Sequence, residues 1–246
     1  MAELEGKVAL VTGGSRGIGA AIATRLASAG ADVAVTYREA ETRAAGVIAE
    51  IEARGRRAVA LRADSADASA VTGAVDRTAE ELGGLDILVN NAGIFPAKPF
   101  GEFTVDEIDY ALHVHARAAF VAAQRAVAHM TGGGRIVNIG TNLSEHAPFG
   151  GLTLYNLSKS ALNGFTKALA RELGPRDITV NLVQPGSTDT DMNPADGDHA
   201  RDQERLTALG RFGRADDIAA AVAFLAGESG RSVTGAFLTV DGGTNA

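Results

Sequence analysis

The chain contains no cysteine and no tryptophan, and only 5% of its 246 residues are aromatic. Without cysteine there are no disulfides, no thiolate nucleophile and no Cys-ligated metal centre, so any chemistry must come from other groups. The scarcity of aromatics, with 23 basic against 30 acidic side chains and a formal charge of −7, argues against a base-stacking platform or a broad phosphate-binding face. Nucleic acid is therefore not an expected partner. Also missing is any uncharged apolar run of about 18 residues, and the start Met1-Ala2-Glu3-Leu4-Glu5-Gly6-Lys7 has no basic stretch leading into an apolar one. These features predict a cytoplasmic protein with no membrane partner. No Pro/Gly/Ser-rich linker and no internal repeat divides the sequence, and a single domain spanning 1–246 is expected.

What the chain does have is alternation. Short Val/Ile/Leu-rich runs at Val8–Thr12, Val33–Tyr37, Ala58–Arg62, Leu85–Asn90, Arg135–Ile139, Ile178–Val183 and Phe237–Val240 are separated by longer Ala/Glu/Arg-rich stretches of helical character. The runs are mostly apolar throughout rather than alternating in polarity, as when helices cover both faces of a strand. That pattern predicts a doubly wound α/β fold with a seven-stranded parallel sheet. The polar stretch 187–214 breaks the regularity. It follows the sixth run, so it falls at the carboxyl edge of the sheet and is predicted to be a substrate-binding loop or lid.

The first run leads directly into Gly13-Gly14-Ser15-Arg16-Gly17-Ile18-Gly19 and then a helical pattern over Ala20–Ala29. Glycines permit a tight turn and close backbone approach, and the first helical turn offers unpaired N–H groups to a pyrophosphate. Strand, glycine turn and helix in this order predict a dinucleotide site formed by Gly13, Ser15, Arg16, Gly17, Ile18 and Gly19. Cofactor choice is read at the end of the second run, where an acid would bond the ribose 2′-hydroxyl of NAD and repel a 2′-phosphate. Tyr37 and Arg38 stand there instead, and Arg16 supplies a second planar cation suited to phosphate, which selects NADPH. Tyr155 and Lys159 lie four apart on the predicted helix Thr153–Glu172 and share a face. An ammonium there is expected to lower the phenol from its ordinary pKa of about 10, making an acid/base pair.

The ordered motifs Thr12-Gly13-x-x-x-Gly17-x-Gly19, Asn90-Asn91-Ala92-Gly93, Tyr155-x-x-x-Lys159, Pro185-Gly186 and Val240-Asp241-Gly242-Gly243 span essentially the whole chain. In this it resembles the classical short-chain dehydrogenase/reductase family, and within it the 3-oxoacyl-carrier-protein reductase-like and polyketide tailoring ketoreductase subgroup. The resemblance implies a single-domain Rossmann fold and NADPH-dependent reduction of a ketone, with Tyr155 giving the proton and Lys159 also binding the ribose. It further implies that Asp64 and Ser65 contact adenine, and that Asn91, Ala92 and Gly93 line the adenosine and ribose. Thr188 and Thr190, after Pro185-Gly186, would meet the nicotinamide carboxamide. Predicted helices Val105–Met130 and Thr153–Glu172 would form a dimer interface, with the terminal strand completing a homotetramer.

Two positions depart from the family pattern. Thr141 stands where the family has the serine that bonds the substrate oxygen, and Ser144 is the rival hydroxyl if the loop register is shifted. His115 stands where an asparagine usually holds a water linking the lysine to solvent. It either holds such a water in a pH-sensitive relay or is a helix histidine satisfied by backbone or subunit contacts. His113 and His115 do not share a helix face, so no metal pair is expected. Phe95, Phe149, Leu152 and Met192 flank the motifs and are candidates for the apolar wall of a substrate pocket, or for ordinary core. Arg201, Arg205, Arg211 and Arg214 are interleaved with acids and make no patch for an acidic carrier protein. The expected substrate is a small or polycyclic ketone. The alternatives are a nucleotide-binding regulator without turnover and an NAD-linked alcohol dehydrogenase.

Overall fold

All seven apolar runs form strands, and each strand is parallel to its neighbours. In the computed structural model, which describes residues 3–246, the strands are β1 (Val8–Val11), β2 (Asp32–Tyr37), β3 (Ala58–Arg62), β4 (Ile87–Asn90), β5 (Arg135–Ile139), β6 (Thr179–Pro185) and β7 (Phe237–Val240). They pair in the order β3-β2-β1-β4-β5-β6-β7. Strand order reverses between β1 and β4, and the crevice beyond their carboxyl ends is where ligands bind in such sheets. β1, β4, β5 and β6 are buried at every position, which explains their lack of polar alternation.

The helices cover both faces. Against one lie α1 (Gly17–Ser28), α2 (Glu41–Glu52) and α8 (Ala215–Ala226), and against the other α3 (Ala68–Leu82), α5 (Ala118–His129) and α6 (Thr153–Leu173). Side-chain alternation on β1 feeds both cores: Ala9 and Val11 pack with Ile22, Leu26 and Leu225, while Val8 and Leu10 pack with Val75, Leu88 and Ile136. One buried polar thread crosses this apolar interior. Asn90 Nδ2 donates to Asn138 Oδ1 at 2.9 Å, and Asn138 Nδ2 donates to Thr166 Oγ1 at 2.9 Å. Paired amides in a low-dielectric interior fix the register of α6 against β4 and β5.

Two segments differ from the sequence expectation. Val105–Met130 is not one regular helix: α4 (Val105–Leu112) passes through a π-helical turn at His113–Arg117 before α5 begins. Such turns are rare and frequently sit at functional sites, and this one carries His115. The 187–214 stretch is more regular than predicted. It contains α7 (Ala200–Leu206) and a two-residue parallel ladder joining Thr188–Asp189 to Gly213–Arg214. The ladder is too short to leave a periodic signature, and α7 buries only Ala200. Among the described residues, no helix is long and apolar enough to cross a membrane.

Glycine positions yield a contrast that can be measured. A Cβ on Gly19 would stand 2.3 Å from the Gly13 carbonyl oxygen and 2.5 Å from Asn91 Nδ2, whereas one on Gly46, inside α2, would meet nothing within 4 Å. Gly19→Ala is expected to destabilise the protein by about 1–3 kcal/mol through forced backbone shifts, and Gly46→Ala to stabilise it by roughly 0.5–1 kcal/mol. Thermal or denaturant unfolding measures both, and equal effects at the two sites would contradict the packing described.

Candidate active site

The glycine turn is shaped by backbone contacts. Gly13 and Gly17 have φ of +64° and +53°, a region in which a side chain is strained. A Cβ on Gly13 would come 2.9 Å from Ala92 Cα, so Ala92 rests directly on the turn. Thr36 holds it from β2, its hydroxyl accepting from Gly13 N at 2.9 Å and its carbonyl from Gly14 N at 2.9 Å. α1 then starts with no side-chain cap at Arg16 and no acid in its first turn. The N-terminal amides and their partial positive charge are thus left for an anion, and with Ser15, Ile18 and Gly19 framing the turn the site fits a dinucleotide pyrophosphate.

Asn91 has a duty the sequence did not announce. Its Nδ2 donates to the carbonyls of Thr12 (2.9 Å) and Gly13 (3.1 Å), while Asn91 N and Ala92 N donate to Thr12 Oγ1. The amide therefore clamps the glycine turn to the exit of β4. On the opposite side Thr190 packs over Gly17, since a Cβ there would lie 3.4 Å from Thr190 Cγ2. Thr188 is buried, its hydroxyl donating to Gly186 O at 3.0 Å. Pro185 ends β6, and Gly186 sits so near Asp241 that a Cβ would be 2.6 Å from the Asp241 Cα.

At the end of β2 each of the two expected guanidinium groups has a protein partner of its own. Arg38 Nη1 donates to the Tyr110 hydroxyl at 2.5 Å and its Nε pairs with Glu39 at 3.0 Å. Arg16 Nη1 lies 3.9 Å from Asp191 Oδ2. Tyr37 is half-buried beside them. Arg38, Glu39, Arg62, Asp64 and Tyr110 border an open cavity of about 510 Å³. Asp64 also caps its own turn, accepting from Ala66 N at 2.8 Å. Ser65 borders a different space, an interior cavity of about 10 Å³ shared with Thr12, Asn90 and His115.

Thr141 directly follows Gly140 at the carboxyl end of β5, its hydroxyl accepts from Leu143 N at 3.2 Å, and its side chain lies close enough to the Tyr155 phenol to pull the phenol's pKa down. Ser144 is turned to other partners, donating to Thr141 O at 2.8 Å and accepting from Gln184 Nε2 at 3.0 Å. The structure therefore puts Thr141, not Ser144, beside Tyr155. Lys159, one turn further along α6, is buried and donates to Ile139 O at 2.8 Å. Desolvation lowers its pKa to about 8. The phenol, in contrast, is raised above its ordinary value by burial, which outweighs the opposing pull of Thr141. The expected depression of Tyr155 by Lys159 is thus corrected: the ammonium is turned to the Ile139 carbonyl, and burial dominates.

His115 is satisfied by protein partners, the second of the two forms its position allows. Its Nε2 accepts from Ile94 N at 3.0 Å, which leaves the proton on Nδ1, 2.8 Å from Ser158 Oγ. Ser158 can accept it because its own hydroxyl proton goes to Leu154 O at 2.9 Å. Both ring nitrogens have protein partners. Burial first, and then the Lys159 charge, push its pKa down to about 2, and the ring stays neutral. Gly93 fits between it and the lysine, where a Cβ would lie 3.2 Å from both His115 Nε2 and Lys159 Nζ.

Of the candidate wall residues, Phe95 stands edge-on to Tyr155 with ring centroids 4.7 Å apart. Phe149 and Met192 are exposed. Leu152 is only 2% exposed and presents no surface to a ligand, so it is core. Sequence reasoning missed Ser158, Tyr110 and Arg43, whose roles depend on partners distant in the chain.

A family model described as enoyl-(acyl carrier protein) reductase matches residues 13–245. The cyclic-di-GMP-binding biofilm dispersal mediator protein of Escherichia coli is 42% identical over 242 residues, covering 98% of each chain. A short chain dehydrogenase from Burkholderia cenocepacia, solved in complex with NADP, is 60% identical with a TM-score of 0.98, covering 99% of this chain and 100% of that one. The angucycline C-6 ketoreductase LanV, solved with bound NADP, is 41% identical with a TM-score of 0.93, covering 98% and 96%. Glycine turn, tyrosine–lysine helix and these whole-length matches together establish that the chain belongs to the short-chain dehydrogenase/reductase family.

Proposed function

We propose that the chain is an NADPH-dependent ketone reductase in which Tyr155 is the general acid and Thr141 holds the carbonyl oxygen. The observation that carries this reading is the burial of Lys159 one turn from Tyr155 on α6, with Thr141 beside the phenol. Bound NADPH supplies the hydride that adds to the carbonyl carbon. As the C=O π bond breaks, the Tyr155 hydroxyl transfers its proton to the oxygen, leaving a phenolate one helical turn from the buried Lys159 ammonium. Burial keeps the phenol protonated at neutral pH, which suits a proton donor and hence the reductive direction. Thr141 fixes the oxygen through its hydroxyl, while its methyl narrows the site.

The uncapped α1 terminus and the glycine turn support pyrophosphate binding, and Arg16 with Arg38 supports choice of the phosphorylated cofactor. Relatives solved with NADP support the same choice. An NAD-linked dehydrogenase is disfavoured because β2 ends in Tyr37 rather than an acid. A regulator without turnover is disfavoured by the intact Thr141–Tyr155–Lys159 group. Phe95 against Tyr155 and Met192 in the 187–214 lid, with Phe149 also exposed, offer apolar surface, which favours a bulky or polycyclic ketone over a charged substrate. We read the protein as one catalytic domain, cytoplasmic, and assembled as a homodimer or homotetramer through α5 and α6, where Phe120 and Leu157 are exposed.

Three outcomes are expected. Tyr155→Phe lowers ketone reduction by about 10²–10⁴-fold while calorimetry still detects NADPH binding; retained turnover would remove Tyr155 from the mechanism. The pH–rate profile has no step at the ordinary imidazole value of about 6.5, because His115 stays neutral. It declines above about pH 8, since a lysine with a lowered pKa keeps its proton below that value and loses it above. A step near the imidazole value would contradict the His115 assignment. Finally, Arg38→Asp weakens NADPH by about tenfold or more and leaves NADH unharmed in fluorescence titrations; equal loss of both would contradict a 2′-phosphate contact.

A further inference from the structure

Asp191, on the segment that follows β6, is engaged by two cations from separate parts of the fold. Its Oδ2 accepts from Arg43 Nη1, and the same oxygen lies 3.9 Å from Arg16 Nη1. Arg16 belongs to the glycine turn and Arg43 to the first turn of α2, so the carboxylate bridges the mouth of the cleft. Its neighbour Thr190 covers Gly17, which places this bridge over the phosphate-binding turn. The hydrogen bond from Arg43 first, then its charge and that of Arg16, hold the Asp191 carboxyl below the usual carboxylate range. Two guanidinium groups sharing one anionic oxygen form an anion site, occupied here by the protein's own side chain.

We propose that Arg43 and Arg16 form a second arm of the cofactor's 2′-phosphate site, and that Asp191 fills this arm until NADPH displaces it. The inference rests on the NADPH reading above. All three side chains are about half exposed, and exposed ion pairs are weak. A phosphate carrying about −1.5 to −2 charges and three acceptor oxygens is the stronger ligand for paired guanidiniums, so the exchange is favourable. NADH lacks that group and leaves the bridge intact. The position of the 187–214 segment is thereby coupled to which cofactor enters.

Calorimetric titration of NADPH and NADH against wild type, Arg43→Gln, Asp191→Asn and the double variant tests the proposal. In wild type NADPH binds more tightly than NADH. Arg43→Gln is expected to lose about fivefold in NADPH affinity with NADH within about twofold. Asp191→Asn is expected to gain about threefold for NADPH alone, and the double variant should lose most of that gain, because the competitor acts through Arg43. An unchanged cofactor ratio in Arg43→Gln, equal weakening of both cofactors in Asp191→Asn, or a full gain persisting in the double variant would each overturn it. Wild type showing no NADPH preference would instead overturn the cofactor assignment itself.

Discussion

The ammonium of Lys159 is buried and donates to the Ile139 carbonyl, 2.8 Å away. A buried charge is costly unless it is hydrogen-bonded, so this contact draws the start of α6 onto the carboxyl end of β5. Everything the proposed chemistry needs follows from that junction. Tyr155 lies one turn before the lysine, and Thr141 lies just beyond Ile139 on the strand side. The Asn90–Asn138–Thr166 thread fixes the same two elements one layer deeper.

That junction also explains the form His115 takes. An imidazolium beside a buried ammonium would add a second unpaired charge, and the surroundings exclude it by burial and by an acceptor role toward Ile94 N. The ring serves as a neutral strut from the π-helical turn to the loop after β4 and, through Ser158, to α6. Replacing the family's asparagine therefore changes the polar contacts behind Lys159 while leaving its charge alone. The same exclusion of water raises the phenol and keeps its proton in place, the state required of a donor.

Much of the fold was legible because its determinants are local. Val8–Val11 and Arg135–Ile139 read as strands since both faces are buried, and the glycine turn announced itself by strand, glycines and helix in succession. The π-helical turn was not legible, because one extra residue in a turn leaves the composition of Val105–Met130 helical throughout. The direction of the Tyr155 shift depends on burial, which no local pattern encodes. Arg38 finds Tyr110 across 72 residues and Arg43 finds Asp191 across 148, distances at which sequence spacing carries no information. Position beside the motif left Leu152 open between pocket wall and core, and only its burial just before α6 decides for core.

The most direct measurement is a crystal structure with NADP and the alcohol product of a reduced ketone. The account places the product oxygen within about 2.6–3.2 Å of both the Tyr155 phenol and the Thr141 hydroxyl, with Lys159 still buried beneath them. An oxygen bound instead to Ser144, or lying beyond reach of the phenol, would contradict it.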